Sequence, residues 1–250
     1  MLALSVDQVA LLIVTGTAAG AINAAVGSGS LLTYPALLSI GIPPVIANGT
    51  NTVGVVPGAV SGAWVYRGYL RERHLDFRRW LVAISIGSLV GTMLVVVFPA
   101  KVFAAIVPWL ILAACVSILV QPLILKWAKS SKHSERALTP AIGGVGIYAG
   151  YFGAALGIAL LAVLGSLEGG DVHRSNAMKN ALAVAANGVS GAVFILAGKV
   201  LIIPALIIGV SAMVGGLVGG GLAKRMPPAV LKAIILAVGL YAVVLSFSRV

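Results

Sequence analysis

The chain has 250 residues and a net charge of +11, with 60% hydrophobic and 9% charged residues. Its mean hydropathy of +1.10 is far above that of a soluble domain, so the composition predicts an integral membrane protein. The charge does not indicate nucleic-acid binding, because the basic residues cluster in short loops between apolar runs, where they meet membrane lipid headgroups.

Long apolar stretches follow one another along the chain, and they lack the alternation of membrane-spanning strands, so we expect helices. They cover residues 8–41, 45–66, 80–98, 102–125, 138–167, 175–198, 200–222 and 229–248. The first would run roughly 50 Å as one helix, against a hydrocarbon core of about 30 Å. Breaking residues lie near the middle of the two longest stretches: Gly27 to Ser30 followed by Pro35, and Gly153 with Gly157. We predict a broken helix or a hairpin of two short arms at both places.

A repeat divides the chain into two halves. "IANGTNTVGVVPGAVSGAW" at 46–64 is echoed by "SNAMKNALAVAANGVSGAV" at 175–193, and Asn51 and Asn180 each stand nine residues before the same Val-Ser-Gly-Ala. The copies lie 128–129 residues apart. We therefore predict an all-α polytopic protein with homologous halves, 1–130 and 131–250, in one membrane domain.

The distribution of Lys and Arg bears on how the halves are related. If each long stretch crosses the membrane once, the repeat is parallel and 11 of the 17 basic residues lie on the cytoplasmic side. If each long stretch crosses twice as two short arms, or in an equivalent way, the repeat is inverted. In that case 14 basic residues lie on the cytoplasmic side and Lys101, Lys199 and Arg249 lie outside. The positive-inside rule thus favours an inverted repeat, while one or two crossings stay open.

Broken helices at matching positions in two halves point to a transport site near the membrane midplane, since freed backbone groups are tolerated only facing a cavity. Polar residues lie at the breaks or follow them, and helix N-termini attract anions. A sulfonate accepts hydrogen bonds through three oxygens and suits such donors. The predicted substrate-binding residues are Asn23, Ser28, Asn48, Thr50, Asn51, Thr52, Tyr151, Asn176, Lys179 and Asn180.

Each of these residues also has a structural interpretation. The Asn and Thr side chains are equally typical of interhelical contacts in membranes, worth about 0.6 kcal/mol each. Lys179 is the basic residue inside a polar cluster and the best charge partner for an anion, but a lysine one turn into a helix also extends to the headgroups. Tyr151 aligns with Asn23 at the second break and is more typical of a packing residue. The tryptophans Trp64, Trp80, Trp109 and Trp127 lie near segment ends, where we expect them to anchor the interfaces.

Other functional classes find little support. The sequence has no P-loop, so ATP is not its direct energy source, and it has no catalytic motif of an enzyme. All six acids lie in loops or at segment ends, which argues against proton coupling through a buried acid. We expect no cofactor and no metal. An anion channel and a non-transporting membrane scaffold are the alternatives to a carrier, and a homodimer is left open.

The motifs "NAAVGSGSLLTYPALLSIGIPP" and "ANGTNT", with their weaker copies "YAGYFGAALGIALL" and "NAMKN", resemble the TauE/SafE family of sulfite exporters and organosulfonate permeases. The resemblance covers nearly the whole chain. It implies a multi-pass carrier of the bacterial inner membrane that moves small sulfur-containing or carboxylated anions, such as sulfite or sulfonates. The usual glycine pair after the first break is Gly29-Ser30 here, a departure that bears on substrate identity.

Overall fold

The computed structural model describes residues 4–25, 27–70, 77–130, 135–164, 172–222 and 228–247. Within these ranges the regular structure is entirely helical, with eleven α-helices and a short 3-10 helix at Arg67–Leu70. The α-helices are α1 Val6–Ala25, α2 Ser30–Ser39, α3 Pro44–Val65, α4 Phe77–Val97, α5 Ala100–Leu119, α6 Gln121–Ser130, α7 Glu135–Tyr151, α8 Leu156–Leu164, α9 Val172–Leu196, α10 Ile202–Leu222 and α11 Pro228–Phe247.

Both long stretches are interrupted, as predicted. Between α1 and α2 the backbone turns at Gly27, whose φ of +83° suits a residue without a Cβ. Between α7 and α8 it turns at Gly153 and Ala155, with φ of +70° and +58°. Pro35 is not part of the break: it lies inside α2.

The prediction for residues 102–125 is wrong in one respect. The stretch is not one helix, because α5 ends at Leu119 and α6 begins at Gln121. Pro122 is the second residue of α6, where proline is tolerated because the first N–H groups of a helix have no intrahelical partner.

Small residues bring helices of the two predicted halves into close contact, α1 against α10 and α4 against α7. A Cβ added to Gly20 would lie 2.0 Å from the carbonyl oxygen of Ala212, and one added to Gly150 would lie 2.1 Å from that of Ser88. Such contacts hold helices together in a bilayer, where apolar side chains gain nothing by leaving lipid. The helices are therefore interleaved across the predicted boundary.

Shared neighbours show that α1 and α3 run in the same direction. Cβ atoms added to Gly16 and Gly54 would lie 3.2 and 2.9 Å from Ile208, and one on Gly62 would lie 3.7 Å from Ala24. The chain must reverse between α1 and α3, and it does so through α2. Ten residues make α2 about 15 Å long, half the thickness of the hydrocarbon core.

Helices α3 and α9, which carry the two polar clusters, pack against each other and run antiparallel. A Cβ on Gly49 near the start of α3 would lie 3.1 Å from Phe194 near the end of α9. One on Gly62 near the end of α3 would lie 3.3 Å from Asn180 near the start of α9. The two repeated sequences thus cross in opposite directions.

Within the described residues, four helices are long and apolar enough to span a membrane: those covering Val6–Ala24, Phe77–Val97, Ala100–Leu119 and Arg174–Leu196. Shorter apolar helices cover Ile202–Val218 and Ile235–Phe247. Large hydrophobic side chains such as Leu206 and Val218 are exposed on the outer surface, as expected of a face that meets lipid. The chain is a multi-pass membrane protein.

The tryptophans differ in position. Trp64 lies at the end of α3 and is 62% exposed, and its role as an interface anchor stays a prediction. Trp109 is also exposed but lies in the middle of α5, so the expectation that it lies near a segment end is wrong. Trp80 is fully buried in a cluster with Leu138 and Ile142, so the expectation that it anchors an interface is wrong. The side chain of Trp127 lies outside the described residues.

Candidate functional site

The two helix breaks meet inside the protein. The backbone N–H of Gly157, at the start of α8, donates to the carbonyl oxygen of Gly27 in the first break at 3.0 Å. The approach is so close that a Cβ on Gly27 would lie 2.4 Å from the Cα of Gly157. Glycine at position 27 is therefore what allows the breaks to touch.

A cavity lies beside this crossing, between the breaks and the middle of α3 and α9. Its polar lining consists of Asn23, Ser30, Lys179, Asn180 and Asn187. Water molecules can enter about 20 Å³ of it, and a single water needs roughly 10–15 Å³. In this conformation the cavity has room for little more than one water.

Lys179 is buried at this cavity and is only 1% exposed. Its Nζ donates to the backbone carbonyl of Asn23 at 3.3 Å, and among the described residues this is its one hydrogen-bond partner. The alternative in which the side chain extends to the headgroups is therefore wrong for this conformation. An ammonium has three hydrogens to donate, so this contact leaves donor capacity beside the cavity.

Asn180 lies one residue further along α9 and is 3% exposed. Its Nδ2 lies next to Gly62 and finds no hydrogen-bond partner among the described residues. A buried unpaired amide costs about 1–3 kcal/mol. Asn23 is different, because its Oδ1 already accepts a hydrogen bond from the backbone N–H of Gly29 at 2.8 Å. This bond links the two sides of the first break.

The first polar cluster makes contacts between helices. Asn48 Nδ2 donates to the carbonyl of Tyr151 at 3.0 Å, and Thr50 Oγ1 accepts from the N–H of Leu201 at 3.0 Å. Asn51 Oδ1 accepts a hydrogen bond from the hydroxyl of Thr33. These contacts match the interhelical interpretation, and the substrate role of the three residues stays a prediction.

The other predicted residues are buried or packed. Ser28 and Asn176 are buried, and neither Ser28 Oγ nor Asn176 Oδ1 has a hydrogen-bond partner in the described part of the chain. Thr52 is 5% exposed. The ring of Tyr151 packs against Phe103, with centroids 5.6 Å apart, as the packing alternative expects.

Sequence reasoning missed Asn187 and Ser30, both of which line the cavity. Asn187 follows Asn180 by seven residues, two helical turns, so the two side chains share a face of α9. The helical spacing in α9 could have indicated Asn187. Ser30 could not be found this way, since its position depends on where α2 begins.

The electrostatics of the site favour an anion. Lys179 brings a group that can carry a positive charge, Asn180 brings an amide without a partner in the described residues, and the N-termini of α2 and α8 begin beside the cavity with their partial positive charge. The N–H of Gly157 is already bonded to Gly27, so α8 acts through its dipole here rather than through that donor. Such a set of groups can bind a small anion away from water.

Comparison with family models shows the class of protein. The family model described as sulfite exporter TauE/SafE matches residues 12–246, almost the whole chain. The chain belongs to this family and is a membrane transporter. No solved structure matches it.

Curated relatives carry the same general description. A "Probable membrane transporter protein" of Haemophilus influenzae is 29% identical over 232 residues, covering 89% of this chain and 86% of the relative. "Probable membrane transporter protein ORF9" of Sinorhizobium sp is 27% identical, covering 95% and 91% of the two chains. "Probable membrane transporter protein YfcA" of Escherichia coli strain K12 is 29% identical, covering 82% and 76%.

Proposed function

We propose that the protein is a secondary carrier that exports small sulfur-containing or carboxylated anions, such as sulfite or sulfonates, across the bacterial inner membrane. The observation that carries the proposal is a buried lysine at the crossing of two helix breaks, beside an amide that has no partner in the described part of the chain. The family description as sulfite exporters supports the substrate class.

In this proposal the anion binds in the cavity between the halves. Lys179 provides the charge-assisted hydrogen bond, Asn180 donates through Nδ2, and Asn187 extends the polar surface along α9. An anion of several oxygens needs more room than the cavity has in this conformation, so binding goes with separation of the breaks at Gly27 and Gly157. The predicted substrate role of Asn51 and its neighbours on α3 belongs to a conformation in which their interhelical bonds open.

An inverted repeat would give this site alternating access. In a parallel repeat, corresponding helices of the two halves run in the same direction. The antiparallel crossing of α3 and α9, which carry the repeated sequences, supports the inverted arrangement, and so does the reversal of the chain through α2. Rocking of one half against the other would then expose the cavity to each side in turn.

Export is favoured by the membrane potential if the anion moves alone. An inside-negative cell expels a monovalent anion with about 2.3 kcal/mol per 100 mV. No ATP-binding motif is present in the sequence, so we propose that gradients drive transport.

The test is a thermal-shift screen of purified protein with sulfite, sulfoacetate, taurine, aryl sulfonates and small carboxylates, since a ligand that binds the folded state raises the melting temperature. Hits are then measured as flux in proteoliposomes. Saturable flux with counterflow identifies a carrier. Flux without saturation identifies an anion channel, and a protein that binds and moves none of these anions contradicts the proposal in favour of a scaffold.

A further inference from the structure

The charge of Lys179 poses a problem for a carrier. A buried ammonium is costly unless it is paired, and a backbone carbonyl at 3.3 Å is a weak partner for it. A carrier must also reorient without substrate if it is to produce net transport. In that step an unpaired ammonium would have to stay in the protein interior.

No acidic side chain of the described residues compensates this charge. The helices and short segments packed against α9 are α3, α4, α7, α8 and the 3-10 helix, and α1 supplies Asn23. Helices α3 and α8 contain no titratable residue. Those on the other elements are Asp7 of α1, Arg67 and Tyr69 of the 3-10 helix, Arg78 and Arg79 of α4, and Glu135, Arg136, Tyr148 and Tyr151 of α7; α9 itself adds His173 and Arg174.

Most of these groups lie at the far ends of their helices or make contacts of their own. Asp7 lies sixteen residues before Asn23 in α1, and Glu135 lies sixteen residues before Tyr151 at the end of α7, a rise of about 24 Å along each helix. Arg67 stacks on Trp64 at 4.3 Å, and the hydroxyl of Tyr148 donates to the carbonyl of Ala154. Arg78 and Arg79 are exposed at the start of α4. A substrate anion is the natural partner for an ammonium at this place.

We propose that Lys179 couples transport to protons: it is neutral in the empty carrier, takes up a proton when the anion binds, and releases it when the anion leaves. This inference rests on the proposed function. In the binding step the lone pair of the Nζ amine accepts one proton from water on the side where the anion enters. On the opposite side the anion departs, one N–H bond of the ammonium breaks and its proton passes to water there, so one proton crosses with each anion.

Coupling of this kind changes the energetics of the carrier. A monovalent anion and one proton carry no net charge together, so the membrane potential does not drive their movement. Direction then follows the concentration gradients of the anion and the proton. Export proceeds when the outward anion gradient exceeds the inward proton gradient, and the same protein takes up the anion when it does not.

The wild-type experiment uses purified protein in proteoliposomes that contain a pH-sensitive dye, with radiolabelled isethionate as the probe. Isethionate is the anion of a strong acid, so it cannot carry the proton itself; sulfite is run in parallel. We expect the lumen to acidify by one proton per isethionate that enters. A potential imposed with valinomycin and potassium should leave the isethionate flux unchanged, whereas an inward proton gradient should make isethionate accumulate.

Two variants of Lys179 separate the steps. Lys179→Arg keeps a permanent charge, so the loaded carrier still crosses but the empty one does not. We expect isethionate exchange within about threefold of wild type and net uptake reduced at least about tenfold. Lys179→Gln has no proton to carry, so its residual flux should move no protons and should respond to the potential. Lys101→Gln and Lys101→Arg, at an exposed lysine of α5, are the matched controls and should behave as wild type.

The outcomes distinguish the two proposals. Isethionate flux without lumen acidification, or with a rate that follows the potential, overturns proton coupling and leaves the carrier intact. Equal losses of exchange and net uptake in Lys179→Arg, in a protein that still elutes as a single species, also overturn the coupling. If wild type moves neither isethionate, nor sulfite, nor any other anion of the thermal-shift screen, the proposed function itself fails, and the coupling falls with it.

Discussion

Lys179 Nζ lies 3.3 Å from the backbone carbonyl oxygen of Asn23, so a side chain of one predicted half contacts the last turn of the broken helix in the other. A related contact joins Asn48 Nδ2 to the carbonyl of Tyr151 at 3.0 Å, and Asn23 and Tyr151 correspond in the sequence repeat. Both carbonyls lie in the last turn of a helix that ends at a break. Carbonyl groups there have no intrahelical hydrogen-bond partner. One is bound by a neutral amide and the other by an amine, and this difference makes the site asymmetric.

The first prediction concerns the charge of Lys179. Lys179→Gln removes a charge-assisted contact worth about 1.5–3 kcal/mol, so anion affinity should fall roughly tenfold to a hundredfold. Substrate titration on purified protein measures the dissociation constants, with folding checked by size-exclusion chromatography. Lys101→Gln serves as the control. Equal constants for wild type and Lys179→Gln would leave the anion to helix ends and amides alone.

The second prediction separates Asn180 from Asn51. Asn180→Ala removes a donor without a partner in the described residues, so it should weaken substrate binding while leaving the melting temperature unchanged or raised. Asn51→Ala removes the acceptor of the Thr33 hydroxyl, so it should lower stability by about 0.6–2 kcal/mol and also slow transport if Asn51 meets the substrate. Titration and thermal unfolding on both variants decide the matter. Unchanged substrate affinity in both variants would exclude the two asparagines from the binding site.

The third prediction concerns the crossing of the breaks. Gly27→Ala places a Cβ 2.4 Å from the Cα of Gly157 at a φ of +83°, so crowding adds about 1–3 kcal/mol to a backbone cost of about 1–2 kcal/mol. Gly41→Ala is the matched control, with a φ of +94° and nothing within 4 Å of the added Cβ, so it should incur the backbone cost alone. In thermal unfolding, the melting temperature of Gly27→Ala should be well below that of Gly41→Ala. Equal losses would show that the close approach does not matter to stability.

The fourth prediction tests the inverted repeat. Because α3 and α9 run antiparallel, the end of α3 should face the cytoplasm with the basic residues that follow it, and the end of α9 should face outside. In a Cys115→Ala background, Lys199→Cys should react with an impermeant maleimide in intact cells, and Gly68→Cys should react only after permeabilisation. Labelling of both from the same side contradicts the inverted arrangement.

The helices and their breaks could be predicted because they depend on local sequence. Apolar length determines where a membrane helix forms, and Gly27 and Gly153 mark the turns because their backbone angles favour a residue without a Cβ. The interruption at Val120 was missed because Pro122 is compatible with a helix start, and sequence alone does not show that a new helix begins there. Trp80 was misassigned because proximity to a helix end says nothing about which way the side chain faces.

The residues of the site could be predicted from the sequence, but their hydrogen-bond partners could not. Lys179 and Asn180 stood out as polar residues repeated in an apolar chain, and the structure places both at the cavity. The bonds of Asn48 to Tyr151 and of Asn51 to Thr33 depend on how distant helices pack. No local pattern reports that packing, so sequence could not separate these asparagines from Asn180.

The pairing of α1 with α10 has a consequence for synthesis. Ile202 follows Ala25 by 177 residues, so at about 5–20 residues per second α1 waits roughly 10–35 s in the membrane before its partner leaves the ribosome. During that time the glycine face of α1 must be covered by lipid, by α3 or by a chaperone of the insertion machinery. A slow step or a truncation between the halves would therefore leave an early helix open to proteolysis, and protein quality control would act on the first half before the second exists.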